Sequence, residues 1–328
     1  MKTIFFEKHG DETVLEVVDR EIREPGAGEV LVRVTSVGLN RADLLFVQGR
    51  YFQKATLPSR AGMEPAGIVE QVGSCTEWTP GDRVGVLPSS FVISSDGGLA
   101  EYVTVKAESL VATPAKIDDR DAGAIWMQYL TVWGALHWLV SVEAGQFVVI
   151  TAASSSVGLS AIEMVNAAGG ISIATTTSAE KVARLKEHGA AHVINVRVED
   201  YGARIKEITA GRGVNVVFDA VAGPDMNGHV RACAQGASII LYGLLDTRPM
   251  DAFPGLLIGK QLRLFGYTIR GLQEDRSALA RGVREVSEAI EAGKLRPVID
   301  RRFPLTQTRE AFAYMASNKQ FGKIVVNP

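Results

Sequence analysis

The apolar positions give the chain two textures. Over residues 1 to about 115 they form short β-rich runs, such as Val30-Leu31-Val32-Arg33-Val34 and Gly67-Ile68-Val69-Glu70-Gln71-Val72. Turn signals at Pro25-Gly26, Pro80-Gly81 and Asp96-Gly97-Gly98 separate them. This half reads as all-β and barrel-like, with few helices. The pattern changes near residue 145. Phe147-Val148-Val149-Ile150 is apolar throughout, as in a parallel strand buried on both faces. A helical spacing of Val157, Ile162 and Val165 follows and stops at Gly169-Gly170. Strand-like runs recur at 171–177, 192–196, 214–221, 238–243 and 262–269, with helical segments near 179–188, 199–209 and 224–233. Ser178 stands at an N-cap position, and Pro224 suits a first helical turn. From 274 the first texture returns: a polar helix near 274–292, a strand near 298–303, a short helix near 308–316 and a last strand at 323–326.

Strands alternating with helices at this spacing mean βαβ units in a doubly wound parallel sheet. The expected fold class is therefore α/β. A β-rich domain is built from residues 1–120 and 272–328, with a Rossmann domain of residues 121–271 inserted. A length of 328 residues agrees with two domains, since single cores split beyond roughly 250–300 residues. Residues 122–142 contain no Asp, Glu, Lys or Arg and are long enough to span a bilayer. Gln128, Tyr129, Thr131, His137 and Ser141 make a protein-buried helix the better reading, so no membrane partner is expected. The first residues are too short in apolar length for a signal peptide. A net charge of −2 with no run of Lys or Arg argues against nucleic acid. Two isolated thiols, Cys75 and Cys233, point to a reducing, cytoplasmic setting and cannot build a thiolate zinc site.

The first strand-to-helix turn of the inserted domain is Thr151-Ala152-Ala153-Ser154-Ser155-Ser156-Val157-Gly158. A dinucleotide-binding turn needs small residues, so that the backbone turns sharply and its N–H groups face a pyrophosphate at a helix N-terminus. Only Gly158 of the usual three glycines is present; Ala and Ser fill the other places. An ordinary serine-rich loop is the plain alternative. NAD sites place an acid about 20 residues further on. Here the stretch is Ala174-Thr175-Thr176-Thr177-Ser178, without a carboxylate, and Lys181 follows one helical turn later. Lost repulsion and a nearby ammonium favour a 2′-phosphate, so NADPH is the expected cofactor; a solvated Lys181 is the alternative.

Four segments carry a resemblance. They are Gly38-Leu39-Asn40-Arg41-Ala42-Asp43, Ala61-Gly62-Met63-Glu64-Pro65-Ala66-Gly67, Gly97-Gly98-Leu99-Ala100-Glu101-Tyr102-Val103 and Gln128-Tyr129-Leu130-Thr131. Together they resemble the quinone oxidoreductase branch of the medium-chain dehydrogenase/reductase superfamily, over nearly the whole chain. The resemblance implies a GroES-like catalytic domain, a Rossmann domain and an active site in the cleft between them. Zinc-dependent relatives carry Cys at the place of Asn40 and His at the place of Met63, and have a four-cysteine lobe that this chain lacks. No metal is expected.

Hydrogen bonds and a proton donor must then stabilise charge on the substrate oxygen. Tyr51 matches the proposed donor of similar enoyl-thioester reductases, and Leu45 stands where many quinone reductases have a further Tyr. The resemblance implies catalysis by Tyr51, Asn40 and Asp43, each with a structural alternative, and hydride transfer to a quinone or an α,β-unsaturated carbonyl. It implies cofactor contacts from Asn40, Thr131, Ser155, Ser156, Val157, Gly158, Thr177, Ser178, Lys181, Tyr242, Gly243, Tyr267 and Lys323. An enoyl-thioester reductase and a non-catalytic NADPH-binding protein are the alternatives. The 262–269 strand is the expected edge of a homodimer.

Overall fold

The computed structural model describes residues 1–328 and resolves into two compact units, Met1–Gln128 with Val283–Pro328, and Tyr129–Gly282. The sequence places the boundaries at 120/121 and 271/272. In the structure the chain changes unit inside two helices, Trp126–Trp133 and Arg276–Glu291. Neither crossing has a linker whose composition could mark it.

The inserted unit holds a six-stranded parallel sheet: β1 (Phe147–Ile150), β2 (Ile171–Thr176), β3 (His192–Asn195), β4 (Val214–Asp219), β5 (Cys233–Leu241) and β6 (Arg263–Gly266). Their order across the sheet is β3-β2-β1-β4-β5-β6. Val149 of β1 pairs with Ile173 on one side and Val217 on the other, and all three are fully buried. This is why the central strands read as unbroken apolar runs. The order reverses beside β1, where open α/β sheets bind ligands at the carboxyl ends of their strands.

Two expected elements differ. The run at 262–269 forms a strand only over Arg263–Gly266; Tyr267 turns inward and a helix, Ile269–Glu274, follows. β6 has one neighbour, so pairing ends where β5 ends, at Leu241 with Gly266. The uncharged segment 122–142 is three pieces: 3₁₀ turns at Ala122–Ala124, an α-helix at Trp126–Trp133 and π turns at Gly134–Leu139. Apolarity on every face specifies burial but not the hydrogen-bond period. No helix is long and apolar enough to cross a membrane.

The other unit is β-rich. Its larger sheet runs Ile299–Pro304, Lys323–Asn327, Glu29–Leu39, Pro65–Val72, Arg83–Val86 and Leu110–Ala112, with Tyr102–Lys106 also paired to Glu29–Leu39. A second sheet joins Glu16–Asp19, Lys2–Phe6 and Ser59–Arg60. Val30, Val32 and Val34 alternate into the core with Val69, Val84 and Val103. One helix that the β reading omits, Arg41–Val47, starts at Asn40.

Candidate active site

In the inserted unit β1 ends at Ile150, and the turn to the helix Ser156–Ala167 is tight. Ala152 lies at φ 45°, a left-handed conformation unusual for a residue with a side chain. Ser155 caps the helix, its Oγ accepting the Gly158 N–H at 3.1 Å. A Cβ on Gly158 would stand 2.6 Å from both Cα and O of Ala153, so only glycine lets the helix approach the strand this closely. Ser155, Ser156 and Val157 are partly exposed around this helix start. Lys181 reaches across from the helix Ala179–Glu187, and its Nζ donates to Ser154 Oγ at 3.2 Å. Ser178 is the N-cap of that helix, yet its hydroxyl makes no capping bond, and Thr177 beside it is exposed.

Tyr242 and Gly243 follow β5. The Tyr242 ring stacks on Phe218 at 3.9 Å, and its buried hydroxyl lies beside Ser155. Burial pushes that phenol above its ordinary range. The Tyr267 hydroxyl is buried and unpartnered, and Thr131 is buried on its helix. A buried hydroxyl without a partner costs about 1–3 kcal/mol, and a ligand that bonds it recovers that cost. Small residues at the turn, an ammonium on Ser154 and the unsatisfied Tyr267 hydroxyl fit a dinucleotide.

The sequence reading passed over the group that holds these loops together. Asp219, fully buried at the end of β4, accepts from Thr151 Oγ1 at 2.7 Å and from the N–H groups of Val221 and Ala222 at 2.9 Å each. Thr151 Oγ1 accepts in turn from the Ala220 N–H at 2.8 Å. An acid closing an apolar strand is the signal that could have found it.

The other unit gathers Asn40, Asp43, Glu64 and Lys323 into one buried network. Lys323 Nζ donates to Glu64 Oε2 at 2.5 Å and to Asn40 Oδ1 at 2.7 Å. Asn40 Nδ2 donates to Gly38 O and to Glu64 Oε2, both at 3.1 Å. Glu64 Oε1 accepts the Met127 N–H at 2.8 Å. A Cβ on Gly38 would meet Lys323 Cε at 2.5 Å and Glu64 Oε2 at 2.9 Å, which accounts for glycine in the Gly38-Leu39-Asn40 segment. Asp43 Oδ2 accepts the Asn40 N–H at 2.8 Å and Oδ1 the Met63 N–H at 2.9 Å, fastening the helix start to the next loop.

This network bears on three expected site residues. The Lys323 side chain is 0% exposed and ion-paired to Glu64, a placement that argues against contact with a cofactor phosphate. Both Asn40 amide hydrogens and its oxygen make hydrogen bonds inside the unit. Asp43 is buried with both oxygens bonded to backbone N–H groups, which ties the helix start to the loop at Met63. A carboxylate and an ammonium at i to i+259 in sequence leave no local pattern, so the pairing of Glu64 with Lys323 was not legible.

Burial raises the Asp43 carboxyl to about 7, against the opposing pull of the Asn40 N–H and Lys323. The native state therefore holds a proton that the unfolded chain releases near pH 4, so stability falls as pH rises from about 4 to 7. A rise of that size corresponds to about 4 kcal/mol. In urea unfolding across that range, Asp43→Asn should remove most of the decline; an identical slope in the variant would exclude Asp43 as its source.

Tyr51 is half-buried, its ring against Phe52 at 4.0 Å, and burial then the charge of Asp43 push its phenol up to about 12. It therefore stays protonated at neutral pH. No group of three or more His, Cys, Asp or Glu side chains is placed to hold a metal ion. Asn40 carries an amide and Met63 a thioether, and the Lys323 ammonium is paired with Glu64.

Residues 26–115 match the family described as alcohol dehydrogenase GroES-like domain, and residues 188–326 the family described as zinc-binding dehydrogenase. A quinone oxidoreductase of Pseudomonas aeruginosa is 30% identical over 329 residues, covering 100% of this chain and 99% of the relative. The crystal structure of Escherichia coli quinone oxidoreductase complexed with NADPH superposes with a TM-score of 0.92 at 27% identity, covering 100% of both chains. The CurK enoyl reductase structure gives 0.88 at 26% identity, covering 99% of this chain and 98% of that one.

Proposed function

The chain belongs to the quinone oxidoreductase branch of the medium-chain dehydrogenase/reductase superfamily, and from that premise we propose that it is an NADPH-dependent reductase of quinones or α,β-unsaturated carbonyls that works without zinc. The observation that carries this reading is the Ser154–Gly158 turn: a helix N-terminus with Lys181 at Ser154 and no carboxylate at the end of β2. NADPH, when bound, supplies the hydride. The helix N–H groups at Ser156, Val157 and Gly158 bind the pyrophosphate. Lys181, Thr177 and Ser178 hold the 2′-phosphate. The Tyr242 hydroxyl meets an acceptor of the cofactor, and Tyr267, Gly243 and Thr131 line its nicotinamide end. Tyr51 gives a proton or hydrogen bond to the substrate oxygen, which its un-ionised phenol at neutral pH permits. Asn40 and Asp43 position the loop that carries it. The Asn40 and Met63 donors support zinc-free chemistry, and two free thiols support a cytoplasmic setting.

The test is NADPH and NADH oxidation against a panel of quinones, enones and enoyl thioesters. NADPH should be preferred, turnover should survive exhaustive chelation, and Tyr51→Phe should lower kcat about 10²-fold or more with unchanged NADPH affinity. Binding without turnover on any acceptor would leave a non-catalytic NADPH-binding protein. Turnover confined to thioesters would favour an enoyl-thioester reductase, the reading that the CurK neighbour supports.

β6 is an unpaired sheet edge, with Leu264 41% exposed on it and Ile258 78% exposed on the neighbouring helix Pro254–Gly259. Such an edge invites a second strand, and we assign it to a homodimer. Sedimentation should show a dimer at micromolar concentration that Leu264→Lys dissociates; a wild-type monomer would refute the assignment.

A further inference from the structure

Away from the residues assigned above, the GroES-like unit contains a cavity of about 310 Å³, with Phe5, Leu31 and Tyr102 among its apolar walls and Arg20, Arg23 and Arg60 around it. The three guanidinium groups differ in their commitments. Arg23 is paired, to Glu29 at 2.7 Å and Asp96 at 3.6 Å, and donates to the Thr104 carbonyl at 3.0 Å. Arg20 lies over the Phe5 ring at 4.6 Å and has no carboxylate partner. Arg60 is largely enclosed. Its Nη1 donates to Ser95 O at 3.3 Å and its Nη2 to Tyr102 O at 3.1 Å, while its Nε is buried without any partner.

A buried charge is ordinarily ion-paired, because neutral carbonyls repay only part of its lost hydration. Arg60 has no carboxylate within ion-pair distance, and burial pushes it down to about 10 despite the field of Asp96. The wall carries two carboxylates, Glu21 and Asp96, against three guanidinium groups, and Asp96 is already engaged by Arg23. An oxyanion in the cavity would meet the Arg60 guanidinium, which lines it without a carboxylate partner, and the unpaired Arg20. The apolar walls would take a ring or short hydrocarbon.

We infer that this cavity binds a small organic anion, an oxyanion head on an apolar body, through Arg60 and Arg20. The site is built wholly from the GroES-like unit and needs no bound nucleotide.

Benzoate and phenyl phosphate, titrated by calorimetry into the full chain with saturating NADPH, test it and separate the two head groups. One of them should bind at one site per chain with a Kd below about 1 mM, a modest affinity for so few contacts. Arg60→Gln should weaken it at least tenfold and Arg20→Gln severalfold, with menadione reduction unchanged in both. Arg20 is exposed, so its variant will fold if Arg60→Gln does not, and Arg60→Lys keeps the charge while losing the guanidinium fork. Absence of one-to-one binding for both probes, or affinities unchanged in both Gln variants, would overturn the assignment.

Discussion

Lys323→Ala should destabilise the GroES-like unit by about 3–5 kcal/mol, the usual cost of stranding one member of a buried ion pair. The ammonium is the only cation on Glu64, whose side chain is 1% exposed. Without it the carboxylate keeps only the Asn40 amide and the Met127 N–H. Asn40 also loses the donor to its Oδ1, so the start of the helix that leads to Tyr51 loosens. Urea unfolding measures the loss. Glu64→Gln combined with Lys323→Met should cost clearly less than the two single changes added together, because the double variant buries no unpaired charge. The same experiment separates two roles for Lys323. A phosphate-binding lysine would weaken NADPH affinity and leave the unfolding midpoint in place; the buried pair predicts the reverse.

Gly158→Val should weaken NADPH binding by about 100-fold or more, which is near 2.8 kcal/mol. The added Cβ falls 2.6 Å from the Ala153 backbone, which cannot move aside as a flexible side chain could. The helix Ser156–Ala167 must retreat from β1, and the Gly158 N–H leaves the Ser155 cap. Overpacking of this kind also costs about 1–3 kcal/mol of stability, so the thermal midpoint should be read beside the cofactor titration. Full NADPH affinity in a folded Gly158→Val protein would show that the cofactor does not use this turn.

Several features were legible along the chain. The run Phe147–Ile150 and its successors announced a parallel sheet, because a strand covered on both faces has no polar side to alternate with. Local rules also located the turn at Gly158, the acid-free end of β2 and the place of Lys181, all within about 30 residues of one another. Sequence spacing failed where the partner lies far away. Asn40-x-x-Asp43 looked like catalytic equipment, yet the two side chains bond to Gly38 O, Glu64, Lys323 and the N–H groups of Asn40 and Met63. Asp219, inside the expected strand 214–221, ends β4 and ties together the loops after β1 and β4. Periodicity and turn chemistry act over a few residues, so the order of amino acids determined most elements and the tight turn before Gly158. Which buried charge found which partner was decided by tertiary structure alone, since only folding brings residues 259 positions apart within 2.5 Å and removes the water that would otherwise screen them.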